Sequence, residues 1–178
     1  MFNFQANNNA LVKQVFSGGQ KMKHAEIEID DVDKKIINSL IDNAKFSYRQ
    51  LAGKVGVSVA TVMNRVKRLE KAGVITKYTI GVKYSFIGYD MQIIMDVRIA
   101  KGKLAEVEDK IAKHPNVFAV YDNTGPFDAT VIAKFKDRRS ADAFIKKVQT
   151  YDFVERTETK LLLGTVTEHM IKLPLSNS

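Results

Sequence analysis

Side chains that could recognise a nucleic acid are concentrated in one stretch of the sequence, between Lys45 and Tyr84. Nine of the 28 Lys and Arg residues lie there, with Glu70 as the single acidic residue. The stretch carries the whole net charge of +8, because the rest of the chain holds equal numbers of basic and acidic residues. A basic patch confined to one segment favours binding to a polyanion. The alternative is a solvated basic surface that keeps the protein in solution.

Within this stretch, residues 58–69 have the pattern of a helix that inserts into the major groove of DNA. Four apolar residues fall on one side of that helix, namely Val59, Val62, Val66 and Leu69. The other side carries small and hydroxyl residues at its start, then Asn64 and Arg65, with Lys67 and Arg68 beyond. Asn can pair with adenine and Arg with guanine, whereas Lys mainly neutralises phosphate. The alternative is an amphipathic surface helix with no role in binding.

The elements that must position these side chains form a predicted helix-turn-helix. Its signals, in chain order, are a cap at Asp30 or Asp31, a capping box from Ser47 to Gln50, a Gly56-Val57 turn, a cap at Ser58 and a stop at Gly73. Ser and Asp caps satisfy the free amides of a first helical turn, and Gly commonly ends a helix. Two short helices joined by a tight turn within a group of three predict a helix-turn-helix.

The second half of the chain alternates between strand and helix patterns. The predicted strands span 91–99, 117–123, 128–135 and 153–166, and the predicted helices span 103–113 and 138–149. This βαββαβ order is the ferredoxin-like arrangement, in which two helices cover one face of the sheet. The other face would carry Ile94 and Ile132, and we expect another subunit to bury it because large exposed apolar patches are rare on monomers.

We therefore predict an α+β protein with four parts. Residues 1–28 form an N-terminal extension, 29–74 a helix-turn-helix domain of winged-helix-like type, 75–88 a linker strand, and 89–174 a ferredoxin-like oligomerisation domain. Met22 could be the start of a shorter natural product. Cysteine is absent, which excludes thiolate metal sites. No apolar run approaches the roughly 18 residues of a membrane span, and the first residues lack a signal-peptide pattern, so we expect a cytoplasmic protein without membrane contact.

The sequence from Ile29 to Thr79 resembles the N-terminal half of the Lrp/AsnC (leucine-responsive regulatory protein/asparagine regulator) family. The matching residues are the Asp-x-x-Asp opening, Gly56-Val57-Ser58, Thr61-Val62, Arg65-Val66, Arg68-Leu69-Glu70 and Gly73-Val74-Ile75. The second half is similar to the family's ligand-sensing domain, whose marker turn is present as Gly125-Pro126-Phe127-Asp128. The resemblance covers about residues 29–174.

The resemblance implies a transcriptional regulator that binds a pseudo-palindromic operator in double-stranded DNA. It implies a homodimer, paired through the linker strand and the sheet faces, that assembles into a tetramer or octamer. Carried onto this sequence, the residues that contact DNA are Ser58, Ala60, Thr61, Asn64, Arg65 and Arg68. Contacts to phosphate are expected from the start of the second helix, at Ser47, Tyr48 and Arg49.

The resemblance also implies an effector, commonly an amino acid, bound between dimers near the marker turn. An amino acid needs a carboxylate for its ammonium group and amide donors for its carboxylate, and both are present in Asp122, Asn123, Thr124, Gly125, Pro126, Phe127 and Asp128. Asp122 or Asp128 would receive the ammonium group, and Thr157 and Thr159 could add hydroxyls. Alternatively, Asp128 satisfies turn amides and the two threonines are ordinary strand residues.

Other functions fit the sequence less well. The three histidines, His24, His114 and His169, have no metal-ligand spacing, and no nucleophile motif or phosphate loop is present. We expect no enzymatic activity, cofactor or metal, although Asp122 and Asp128 could form an acid–base pair. RNA binding through the sheet would need exposed strand aromatics preceded by basic residues, and the strands lack that pattern. An amino-acid sensor without DNA binding would not need the recognition helix.

Overall fold

The computed structural model describes residues 27–176, which form two compact units. The helical unit contains residues 27–82 and 167–176, and the sheet unit contains residues 83–166. The predicted extension over 1–28 and the alternative start at Met22 fall on residues outside this range, apart from the last two positions of the extension.

The helical unit contains three helices, each of which begins at a predicted cap. They are α1 (Asp31–Asp42), α2 (Tyr48–Val55) and α3 (Val59–Lys71), and their N-caps are Asp30, Ser47 and Ser58. Asp30 and Ser47 each form a complete capping box, so two amides are satisfied at both helix starts. The predicted helix-turn-helix is confirmed.

A small apolar core holds the three helices together. Its buried members are Ile36, Leu51, Ala52, Val55, Val62 and Val66, and Leu69 of α3 is buried as well. Gly56 ends α2 with φ of 80°, a left-handed conformation that residues with a side chain rarely adopt. That glycine turns the chain sharply, so that α3 can pack across α2.

The linker over 75–82 is not a strand in the described structure. Residues 75–82 have no regular secondary structure, and a short 3-10 turn follows at Tyr84–Ile87. Most of their side chains are exposed, including Tyr78 and Ile80. The β-branched composition predicted a strand, but a strand forms only where a neighbouring strand accepts its hydrogen bonds, and residues 27–176 supply none.

The sheet unit has the predicted βαββαβ order. Its elements are β1 (Met91–Ile99), α4 (Leu104–Ala112), β2 (Val117–Asp122), β3 (Ala129–Phe135), α5 (Arg138–Gln149) and β4 (Val154–Leu162). The strands form one antiparallel sheet in the order β2-β3-β1-β4. This order, with both helices on one face, confirms the ferredoxin-like arrangement.

The two faces of the sheet differ in composition. Ile93, Met95 and Val97 of β1 point to the helices, where Phe135, Phe144 and other apolar side chains complete the core. Alternate residues point to the opposite, open face, on which Ile94 of β1 lies directly beside Ile132 of β3. Both isoleucines are only partly buried.

The last strand is shorter than the predicted 153–166. It ends at Leu162, whose partner Gln92 lies next to the first residue of β1, so the chain runs out of hydrogen-bond partners there. Beyond it, the chain from Thr167 packs with the helical unit. The C-terminal segment therefore differs from the predicted boundary, which kept residues up to 174 in the ferredoxin-like domain.

Candidate DNA-binding face and effector region

The start of α3 is fixed by two hydroxyl side chains. Ser58 Oγ accepts a hydrogen bond from the Thr61 backbone N–H at 3.1 Å and lies 2.8 Å from Thr61 Oγ1. Both hydroxyls are therefore already engaged with each other at the helix start. They remain exposed or half-exposed, so each oxygen can still accept or donate one further bond.

Four residues form the outward stripe of α3, defined here as Ala60, Asn64, Lys67 and Lys71. They recur at the helical period and all are exposed. They lie opposite Val62, which is fully buried together with Val66 and Leu69. None of the ion pairs formed within residues 27–176 includes Lys67 or Lys71. The stripe thus presents a small residue, an amide and two lysines to the outside.

Arg65 and Arg68, both predicted to contact DNA, are held by α1 and its cap. Arg65 Nη1 lies 2.5 Å from Asp30 Oδ2 and 3.2 Å from Asp33 Oδ1. Arg68 Nη2 forms an ion pair with Asp33 Oδ2. Asp33 is fully buried, so its charge needs these partners. We call the four residues the Asp–Arg clamp.

The clamp shifts the titration of its members. The hydrogen bond from Arg65, followed by the bond from the Asp33 backbone, lowers the pKa of Asp30 to about 2. The hydrogen bond to Asp30 raises the pKa of Arg65. Both shifts favour the charged pair. The sequence contained a signal for it, because both aspartates and both arginines are three residues apart and so share one helix side.

The start of α2 lies in the same unit and is exposed. Ser47, Tyr48 and Arg49, the predicted phosphate contacts, are all exposed. The Ser47 backbone N–H donates to Gln50 Oε1 at 2.8 Å, and Ser47 Oγ accepts from the Gln50 backbone N–H at 3.3 Å. The guanidinium of Arg49 has no ion-pair partner among residues 27–176. These features suit a contact with phosphate.

In the sheet unit, the predicted effector turn is closed by its own residues. The Asn123 backbone N–H donates to Asp128 O at 2.8 Å, and Asp128 Oδ2 accepts from the Ile99 backbone N–H at 2.8 Å. Asp128 Oδ1 also lies 3.5 Å from Arg98 Nη1. Gly125 has φ of 117°, so the turn needs glycine there. Asp128 thus has a structural task, although the amide bound by its carboxylate belongs to β1 and not to the turn.

The structure does not bring Thr157 and Thr159 close to Asp122. Asp122 pairs with Ala129, Ala129 with Val97, and Val97 with Thr157 in one row across the sheet. Because the row spans three strand spacings, Asp122 and Thr157 lie roughly 14 Å apart on opposite edges. Gln149 Nε2 donates to Thr157 Oγ1 at 2.9 Å. One amino acid bound to a single subunit cannot touch both edges.

Asn123 belongs to a polar network on the open face of the sheet. Its Nδ2 donates to Thr130 Oγ1 at 2.6 Å, and Thr130 Oγ1 donates to Asp96 Oδ1 at 2.5 Å. Lys160 Nζ donates to Asp96 Oδ2 at 2.8 Å. Burial raises the pKa of Asp96, but the bonds from Lys160 and Thr130 outweigh it and lower the pKa overall. The alternation of β1 placed Asp96 on this face, but its partners come from distant strands.

A second feature absent from the predictions is the carboxyl group of Glu108 on α4. Glu108 is 8% exposed, and its Oε1 has no hydrogen-bond partner among residues 27–176. Burial, with a smaller contribution from the charge of Asp122, raises the pKa of Glu108 to about 7. Glu108 lies four residues after Leu104 and three before Ile111, so helical spacing places it on the apolar side of α4 and could have indicated its inward position.

No helix within residues 27–176 is long and apolar enough to cross a membrane. The same residues contain no cluster of three or more His, Asp or Glu side chains that could hold a metal ion.

Both units match known families. Residues 29–76 match the family described as winged helix-turn-helix DNA-binding, and residues 92–171 match the Lrp/AsnC ligand binding domain. The first span covers the three helices, and the second covers the four-stranded sheet, apart from Met91, with its two helices. The resemblance seen in the motifs is thereby confirmed for both halves of the chain.

Individual proteins agree. An HTH-type transcriptional regulator of Pyrococcus abyssi is 44% identical over 79% of this chain and 95% of its own length. HTH-type transcriptional regulator FL11 of Pyrococcus furiosus is 33% identical over 83% of this chain and 97% of its own length. The solved structure of E. coli AsnC is 28% identical with a TM-score of 0.75, over 83% of this chain and all of the other. The chain belongs to the Lrp/AsnC family of DNA-binding transcriptional regulators, with a helix-turn-helix and a ligand-binding domain.

Proposed function

We propose that the protein is a cytoplasmic, sequence-specific regulator that reads its operator with the outward stripe of α3. The observation that carries the proposal is this stripe of exposed side chains without internal ion pairs. Asn64 can recognise adenine, Ala60 can contact a thymine methyl group, and Lys67 and Lys71 can neutralise phosphates. Ser58 and Thr61 lie at the end that enters the groove first.

Within this proposal, Arg65 and Arg68 position α3 rather than read bases. A base contact by either guanidinium would compete with the clamp and expose the charge of buried Asp33. Breaking a buried ion pair is costly, so the clamp is the more stable state of both arginines. Ser47, Tyr48 and Arg49 would touch phosphate beside the groove.

The test is binding to genomic fragments, including the protein's own promoter, by fluorescence anisotropy at roughly 50 and 200 mM salt. Tight binding to a few fragments at both salt concentrations is the expected result. Equal binding to every fragment, lost at the higher salt, would instead indicate a non-specific DNA packager.

Variants assign the contacts. Asn64→Ala should reduce the difference in binding free energy between operator and random DNA by about 1–3 kcal/mol. Lys67→Ala should reduce the slope of log affinity against log salt by about 0.9, as expected for one lost phosphate contact. Lys101→Ala removes one exposed positive charge from the sheet unit and is the matched control, which should leave the slope unchanged.

We infer that the effector is an amino acid bound at the turn after β2. Support comes from the ligand-binding family match and from a Neisseria meningitidis regulator of the same fold, 24% identical with a TM-score of 0.74, whose structure is described as an L-Met complex. Asp122 is exposed and its carboxylate can receive an ammonium group, whereas the carboxylate of Asp128 already accepts a hydrogen bond from the Ile99 backbone N–H. Backbone amides of Thr124 and Gly125 would take the carboxylate.

A thermal-shift screen of the free amino acids tests the effector proposal. One amino acid should raise the melting temperature, and Asp122→Asn should abolish that increase. Asp109→Asn, a change of another exposed carboxylate in the same unit, is the control and should preserve it. A shift that survives in Asp122→Asn would move the site away from this turn.

We propose a homodimer, assembling further into a tetramer or octamer, for two reasons. The open face of the sheet carries Ile94 and Ile132 side by side, and an apolar patch of this kind is normally covered. The linker also lacks a strand partner within the described chain. Sedimentation velocity tests this, and a monomer at micromolar concentration would contradict it.

A further inference from the structure

The C-terminal tail, residues 167–176, lies along helix α1 and belongs to the helical unit. It has no regular secondary structure, so its position depends on contacts made by its backbone and side chains. Three residues of the tail make polar contacts with α1, and these contacts are spread over the whole length of the helix.

The central contact is a pair of hydrogen bonds between one side chain and one residue's backbone. Asn38 Nδ2 donates to Leu173 O at 2.9 Å, and the Leu173 backbone N–H donates to Asn38 Oδ1 at 2.8 Å. The amide of Asn38 therefore replaces both bonds that a neighbouring strand would supply to this residue. Both groups are part-buried, which makes the loss of either bond more costly than in water.

Two flanking contacts define the direction of the tail. Lys172 Nζ lies 2.7 Å from Asp42 Oδ1 at the end of α1. Ser176 donates from its backbone N–H at 3.1 Å and from its Oγ at 3.0 Å to Asp31 Oδ1 at the start of α1. The tail therefore runs antiparallel to the helix. Four extended residues span roughly 14 Å and the helix between the two aspartates roughly 16 Å, so the lengths match.

Apolar residues extend the contact to the linker. Met170 and Ile171 line an open groove of about 520 Å³, together with Ile37 and Ile41 of α1 and the linker from Val74 to Gly81. The linker and the tail are the two stretches of chain that lead from the helical unit to the sheet unit. Because both line this groove, the linker and the tail lie on the same side of α1.

The tail contacts α1, and α1 is also the helix that contacts α3 through the Asp–Arg clamp. Ser176 binds Asp31, which directly follows the clamp residue Asp30. Asn38 lies five residues after Asp33, the buried centre of the clamp. We propose that the tail of the same chain is a strap on α1, which keeps the Asp–Arg clamp in place and thereby positions α3. Its consequence for operator binding rests on the proposed function; the strap itself does not.

Hydrogen exchange followed by mass spectrometry tests the strap in the full-length protein. In Asn38→Ala, exchange of the tail peptide 170–176 should become roughly thirtyfold faster, as expected for two lost hydrogen bonds. Exchange of α3 should also become faster, though by less. A chain ending at Glu168 should show the same effect on α3. Because Ala favours helices more than Asn does, weakened helix propensity cannot explain faster exchange in Asn38→Ala.

The control is Lys35→Ala, which changes an exposed side chain on the same side of α1 that forms no hydrogen bond or ion pair within residues 27–176, and it should leave both peptides unchanged. A tail that exchanges at the rate of an unstructured peptide in the wild type would overturn the strap. A protected tail whose loss leaves α3 unaffected in both variants would overturn its positioning role. Operator affinity, measured separately, decides the proposed function, so the two failures are distinguishable.

A cross-link identifies the chain to which the tail belongs. The protein has no cysteine, so Asp42→Cys with Lys172→Cys introduces the only two thiols. A short bismaleimide should join them within one chain, and the product should migrate as a monomer under denaturing conditions. A covalent dimer would show that a second copy supplies the tail, and the assignment to the same chain would be overturned.

Discussion

Each unit buries one acidic side chain, Asp33 in the helical unit and Glu108 in the sheet unit. Asp33 forms ion pairs with two arginines of α3. Asp33 and Glu108 each have one oxygen without a hydrogen-bond partner among residues 27–176, but Asp33 Oδ1 still lies 3.2 Å from Arg65 Nη1. Glu108 has no ion pair among the same residues, and its pKa is raised to about 7 by burial and then by Asp122. Asp33 thus joins two helices through its charge, whereas Glu108 is more easily accommodated when protonated. The same residue class therefore stabilises one unit and makes the other sensitive to pH.

The largest expected effect is that of Asp33→Asn. The substitution leaves two arginines without the buried carboxylate, so we expect the helical unit to lose about 3 kcal/mol of unfolding free energy. Urea unfolding followed by peptide-resolved hydrogen exchange measures the unit separately from the sheet unit. Asp42→Asn, which removes an exposed ion pair of the same helix, should cost less than about 1 kcal/mol. Equal losses of unfolding free energy in Asp33→Asn and Asp42→Asn would show that the clamp stabilises the unit no more than an exposed ion pair does.

Glu108 should make the sheet unit less stable as the pH rises. Its pKa of about 7 in the folded chain lies above its ordinary value of 4.5, so its stabilising protonation is complete below pH 4.5 and is lost as the pH passes 7. We expect a loss of about 2 kcal/mol of unfolding free energy between these values. Glu108→Gln, measured in the same way, should remove this pH dependence. A pH profile unaltered by the substitution would contradict the inward, unpaired position.

Arg65→Lys tests the geometry of the clamp. Arg65 reaches both Asp30 and Asp33, and a lysine has a single ammonium group without the planar fork that allows this. We expect the helical unit to lose about 1 kcal/mol in urea unfolding. Lys67→Arg, a change of similar size on the outward stripe, should stay within about 0.5 kcal/mol. If Arg65→Lys left the unfolding free energy unchanged and weakened the preference for particular bases, Arg65 would be a base-contacting residue instead.

The smallest expected effect is on the unfolding free energy of the helical unit at acidic pH. The pKa of Asp30 is lowered to about 2 by Arg65, so the stability it contributes is present above about pH 3.8 and is lost as the pH falls through 2. The side chain of Asp30 is exposed, and solvent therefore limits the contribution to less than about 1 kcal/mol. Asp30→Asn should flatten the acid limb of unfolding for the helical unit alone. An unchanged acid limb would show that Asp33 carries the clamp without Asp30.

The sequence by itself determined the local elements and the class of protein. Ser47 and Ser58 mark the starts of α2 and α3 through contacts within four residues, and Gly56 marks the turn between them. The apolar periods of the four strands and two helices give the βαββαβ order. Such signals are legible in sequence because each depends on neighbours along the chain. Motif residues such as Gly73-Val74-Ile75 then identified the family.

Only the tertiary structure decided which polar side chains are free. Arg65 and Arg68 have the chemistry to read guanine, but they meet Asp30 and Asp33 from 35 residues away. Thr157 and Asp122 both have the chemistry to bind an amino acid, but sheet order puts them on opposite edges.

The conformations of the linker and the tail also depend on residues that are distant in sequence. β-branched residues over 75–82 predicted a strand that has no partner among residues 27–176, and the tail is placed by Asn38, which lies 135 residues before Leu173. Hydrogen bonds and ion pairs over such distances depend on the packing of the whole unit. Residue type and local spacing therefore determined what each side chain can do, and the fold decided which partner it has.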